Sequence, residues 1–96
     1  MILRLMGDRQ YQLEDACLPR LNELDEKATA AIDGADLAEM EQQLQAIWQL
    51  VRREGVPLPD EELLPSDAIV PPFDLSLAEA RRLLTDEGLI PDLPLR

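Results

Sequence analysis

The residue that does most proton chemistry in proteins is missing from this chain: none of its 96 residues is histidine. That removes the commonest general base and the commonest metal ligand together. Cys17, Ser66 and Ser76 therefore have no imidazole to activate them as nucleophiles. Ser76 also stands three residues before Glu79, the spacing of a helix capping box. The four glycines are isolated, so no loop has the pattern of a phosphate cradle or a dinucleotide fingerprint. One thiol without histidine gives zinc no ligand set, and the acidic run Asp60-Glu61-Glu62 lacks calcium-loop spacing and reads as a solvated turn. Twenty acidic residues make carboxylate pairs common by chance, so a pair alone specifies no acid–base site. The expectation is a protein that is not an enzyme and uses no cofactor and no metal.

What remains is recognition. Trp48 lies beside an apolar helical stripe and reads as core, with an interface anchor as the alternative. Gln42, Gln45 and Gln49, with Glu41 and Arg52, make a polar helix face that is either simply solvated or a dock for a helical partner. The tail LIPDLPLR carries Leu89, Ile90, Leu93 and Leu95 with no later element to cover them, which marks these leucines and the isoleucine as a surface for a partner or a second copy. Its PDLPLR fits a Pro-x-x-Pro-x-Arg ligand formally, a coincidence that eight prolines make easy. The stretch LPSDAIVPPFD, residues 64–74, is held extended by proline. It is either bait for a partner or, the favoured reading, a strap burying Ile69, Val70 and Phe73 against the helices.

The elements that position these residues follow from length, charge and periodicity. Ninety-six residues with 46% apolar content suit one small domain, residues 1–96, with a core mostly of Leu, Ile, Val and Ala. The net charge of −11 argues against direct binding to nucleic acid and against unaided docking on anionic lipid. It suits solubility or a basic partner. A lone cysteine excludes an internal disulfide and fits a reducing compartment. No leader pattern is visible and no apolar run is long enough to span a bilayer. A cytoplasmic protein is expected, reaching the inner face of the membrane only through its partner.

Residues 1–13 read as a β-hairpin around Gly7-Asp8. A two-residue loop pairs Leu3 with Gln12; a three-residue loop, Gly7 to Arg9, pairs Leu3 with Leu13 and Leu5 with Tyr11 and is preferred, although Arg9 suits a left-handed turn poorly. Residues 15–54 read as an antiparallel helical hairpin. Its first stripe is Cys17, Leu21, Leu24, Ala28 and Ala31, closed by a left-handed Gly34. Its second, opened by Asp36 and Glu39 as a capping box, is Leu37, Met40, Leu44, Ile47 and Val51, ending at Gly55. Residues 56–75 form a proline-rich strap in which Ala68 to Val70 makes a short edge strand stopped by Pro71. Residues 76–96 supply a short helix, closed by Gly88, and the tail. The fold class expected is α+β.

With these segments in place, the chain resembles the PspA-associated protein family called PspAA. The residues that carry the likeness are M-I-x-R-x-x-G-x-x-Q-Y at positions 1–11, P-S-D followed by P-P-x-D within residues 65–74, and E-G-L-I-P at 87–91. The likeness implies a protein that works with PspA, the coiled-coil, membrane-remodelling component of the bacterial phage-shock (envelope stress) response. It implies no catalytic residues. A competing expectation, from charge alone, is a self-associating acidic adaptor or a nucleic-acid mimic that binds a basic protein.

Overall fold

In the computed structural model, which describes residues 1–59, 64–85 and 88–90, the chain begins with strands β1 (Ile2–Leu5) and β2 (Gln10–Gln12). Asp8 donates its N–H to the Leu5 carbonyl at 2.9 Å, closing a turn whose third residue is Gly7 at φ +86. The strands then pair Ile2 with Gln12, Leu3 with Tyr11 and Arg4 with Gln10. This is neither expected register. The preferred one placed Arg9 in the loop; the observed one moves the loop back so that glycine, which has no Cβ to clash, takes the left-handed position. Because the slip is two residues and side chains alternate with period two, the same face is kept. Leu3, Leu5, Tyr11 and Leu13 all point into the core as expected.

Two further strands complete a mixed sheet of order β3-β2-β1-β4. β3 (Val56–Pro57) pairs antiparallel with β2, and was not anticipated because its proline reads as a strand breaker. At a sheet edge proline is tolerated, since the missing N–H faces away from the ladder. β4 (Ala68–Val70) is the expected edge strand, and runs parallel to β1 with Leu3 opposite Ala68 and Leu5 opposite Val70. A parallel return needs a long crossover, and the helical hairpin provides it.

A 3₁₀ turn (Asp15–Cys17) leads into α1 (Leu18–Asp33), with Pro19 in the first turn where its absent N–H costs nothing. Leu18, Leu21, Leu24, Ala28, Ala31 and Ile32 are buried, and so is one residue outside the expected stripe, Asp25. Gly34 is not the left-handed residue at the end of α1: its φ is −84, and Ala35 carries φ +55 instead. Ala35 N–H bonds the Ile32 carbonyl at 3.0 Å and Asp36 N–H the Ala31 carbonyl at 2.8 Å, the two bonds of a Schellman motif with Ala35 in glycine's usual place. Asp36 caps α2 (Leu37–Glu54) through the Glu39 N–H, but the Glu39 carboxylate turns to Gln43 rather than back to Asp36, so half of the expected box forms. Met40, Leu44, Ile47, Trp48, Leu50 and Val51 are buried. Leu37, expected in the stripe, is exposed at the first helical position. One hydrophobic cluster joins these side chains to the inner face of the sheet.

The strap is anchored by Trp48, whose Nε1–H donates to the Pro71 carbonyl at 2.8 Å. Phe73 meets the same indole edge-on, ring centroids 5.3 Å apart, and Arg52 lies over it at 5.0 Å. The strap therefore covers the core, but only part of its expected apolar set goes inside. Ala68, Val70 and Leu75 are buried, while Ile69 and Phe73 are exposed. Strand alternation explains Ile69, since its neighbours on both sides point inward. α3 (Leu77–Leu83) opens with the full Ser76–Glu79 capping box. It ends at Leu84, whose ψ of 131 is extended, rather than at Gly88. None of the helices among the described residues is long and apolar enough to cross a membrane.

Candidate interaction surface

The expected binding residues fall into three groups. Gln42, Gln45 and Gln49 are exposed along α2, three and four residues apart, so one polar face of the helix is open to solvent. Leu93 and Leu95 lie outside the described residues. Leu89 and Ile90 are buried, which corrects the expectation that nothing covers them. Their backbone amides reach back to α1: Leu89 N–H donates to Asp25 Oδ1 at 2.9 Å and Ile90 N–H to Oδ2 at 3.4 Å. Sequence pattern could have flagged Asp25, because it sits four residues after Leu21 on the side of α1 that faces the core.

An apolar groove lies open elsewhere among the described residues. Met6 (43% exposed), Ile69 (47%) and Leu83 (40%) lie together, and with Pro71 and Leu89 they line a shallow groove. The three come from three different elements. Met6 enters the β1–β2 turn, Ile69 takes the outward position of β4, and Leu83 ends the helix that Ser76 starts. A second depression adjoins the first through Met6 and Leu83, and is lined as well by Pro72, Leu75 and the charged residues Glu79 and Arg82. A three-residue edge strand followed by Pro71-Pro72 offers little backbone to pair with an added strand. Recognition here would run through side chains. Ile69 reads as part of the strap with bait as the alternative, Met6 as a residue of the hairpin's outer face and Leu83 as core, and no local pattern brings the three together.

Several polar side chains tie one element to another. Gln10, buried on the sheet face opposite Tyr11, donates through Nε2 to the Leu64 carbonyl and to Ser66 Oγ, at 2.5 and 2.8 Å, and so ties the strap to β2. Asp8 accepts from the Tyr11 hydroxyl at 3.0 Å and from Arg52 Nη2 at 3.2 Å. Burial, and then the Asp8 carboxylate, push the Tyr11 phenol above its ordinary value. Burial also pushes the Cys17 thiol up, with Glu54 and Glu14 adding to it, which is opposite to what an activated thiolate needs. Among the described residues no group of three or more His, Cys, Asp or Glu is placed to hold a metal ion.

No curated protein and no solved structure matches the chain. A family model described as PspA-Associated protein, PspAA, matches residues 1–92, nearly all of the chain. The three sequence blocks of the likeness are each tied to a feature of the fold: the glycine turn of the β-hairpin, the strap held by Trp48, and the turn received by Asp25. By the extent of that match, the chain belongs to the PspAA family.

Proposed function

We propose that the protein is a non-enzymatic accessory or regulatory partner of PspA in the bacterial envelope (phage-shock) stress response, and that it meets PspA through the groove between Met6, Ile69 and Leu83. The family's description supports the partner. The observation that carries the surface is three large apolar side chains left 40–47% exposed side by side on a chain this small. Scattered exposed leucines are ordinary, whereas contiguous apolar surface on a small protein marks an interaction site. The chain acts as one domain, residues 1–96, in the cytoplasm. With a net charge of −11 it comes to anionic lipid through PspA rather than alone. The glutamine face, Gln42, Gln45 and Gln49, is proposed as a secondary polar contact. An affinity pull-down from the native cells, with mass-spectrometric identification, tests the reading. PspA as the principal captured protein supports it; recovery of a nucleic-acid-binding protein in its place refutes it and favours the acidic-mimic alternative.

A further inference from the structure

The turn at residues 88–90 is built around a buried aspartate side chain. Asp25 is 0% exposed, on a helix whose neighbouring inward positions are Leu21, Leu24 and Ala28. A carboxylate taken out of water is strongly destabilising unless hydrogen bonds replace its hydration. The amides of Leu89 and Ile90 do so here. The fit is close enough to dictate Gly88: its φ is +104, and a Cβ added there would lie 2.6 Å from Asp25 Oδ2. Beyond α3 the described chain has neither helix nor strand ladder; Thr85 and Gly88 form an isolated bridge there. The Asp25 bonds and the burial of Leu89 and Ile90 hold this segment on α1. Parts of a fold open locally with free energies that range from near zero up to that of global unfolding.

Leu89 has a second role. It is 2% exposed, yet it lines the groove together with Met6, Ile69, Pro71 and Leu83. We propose that Asp25 is a positioning residue for that groove: by clamping the turn at 88–90 it holds Leu89 as the groove floor, so that closing the clamp and binding the partner are one coupled event. This rests on the reading of the groove as the PspA surface. An open clamp lifts Leu89 from the core and removes the apolar floor that a docked side chain would meet. Coupling of this kind is reciprocal: a partner that needs the closed clamp must also hold it closed.

Amide hydrogen exchange at Leu89 and Ile90 in the full chain, free and bound to PspA, tests the clamp, with Asp25→Asn as the variant. In the wild type, PspA is expected to slow exchange at both amides. In free Asp25→Asn both are expected to exchange faster by about tenfold or more, the effect of losing a charge-assisted pair of bonds, while the amides of α2 keep their rates. PspA affinity of that variant is expected to fall as well. Unchanged exchange at Leu89 and Ile90 in Asp25→Asn overturns the clamp. Faster exchange with undiminished PspA affinity overturns the coupling. Ile69→Asp separates this from the groove reading, because it leaves the clamp intact. If Ile69→Asp loses affinity while Asp25→Asn binds as wild type, the groove stands and the coupling falls; if Ile69→Asp also binds as wild type, both fall. Should Asp25→Asn not fold, Leu89→Ala removes the floor without touching the carboxylate: weaker binding supports the proposal and wild-type binding overturns it.

Discussion

Replacing Ala35 by glycine should make this protein more stable, although it deletes a methyl group from a helical hairpin. Ala35 holds φ +55 in the Schellman turn between α1 and α2, where an L-residue with a Cβ is disfavoured by about 1–2 kcal/mol. Glycine relieves that strain but gives the unfolded chain more freedom, which offsets about 0.4–1 kcal/mol. Ala35 is exposed, so no packing is lost. The net expectation is a gain of roughly 0.7 kcal/mol, or about 3–6 °C in Tm for a domain of this size. The companion change Gly34→Ala has the opposite logic and the same sign. Gly34 is at φ −84, and an added Cβ would meet the Ala30 carbonyl oxygen at 3.5 Å, an ordinary contact. Restricting the unfolded chain there should add about 0.4–1 kcal/mol. Thermal and urea melts of the two single variants and of the exchanged pair measure both effects. A lower Tm for Ala35→Gly would refute the left-handed assignment and return that role to Gly34.

The buried stripe of α2 is tested by a neighbouring pair: Leu44→Asp should lose about 3 kcal/mol or more by burying an unpaired carboxylate, whereas Gln45→Asp on the exposed face should lose little, and equal melting temperatures would contradict the assignment. Trp48→Phe leaves the Pro71 carbonyl without its donor and should cost about 2 kcal/mol in a urea melt, with the strap exchanging its amides faster. Tyr11 is the sole tyrosine, so alkaline absorbance reads it directly: its phenol should titrate above 10, and Asp8→Asn should bring the midpoint down. A phenol raised by folding contributes stability that is complete below pH 10 and is lost as pH rises through the folded value, so the stability curve should begin to fall on that alkaline side.

The features legible in the sequence were those set by local chemistry. The capping residues Asp36 and Ser76, the three- and four-residue spacing of Met40, Leu44, Ile47 and Val51, and Pro71 as the stop of β4 each follow from rules acting within a few residues. What was not legible depends on residues far apart in the chain. β3 exists because β2 offers it an edge, and the exposure of Ile69 is set by which face of β4 the helices cover. The spacing of α1 puts Asp25 on its inward side, but its partners, the amides of the turn at 88–90, come from 64 residues away and no local pattern names them. The candidate surface shares this origin: hydrophobicity alone does not separate Leu83, left open, from Leu89, drawn under it, because burial is decided by packing and not by residue type.

The proposed contact with PspA runs through the groove at Met6, Ile69 and Leu83. Isothermal titration of purified PspA into the full chain, wild type and the double variant Ile69→Asp/Leu83→Asp, tests it most directly. Both substituted positions are exposed, so the double variant should melt close to the wild type. Two apolar contacts replaced by charges should weaken the complex by roughly 100-fold or more. Saturable binding by the wild type, lost in a folded double variant, is the predicted result. Equal affinity for the two proteins, or no binding of PspA by the wild type, would rule the groove out as the PspA contact.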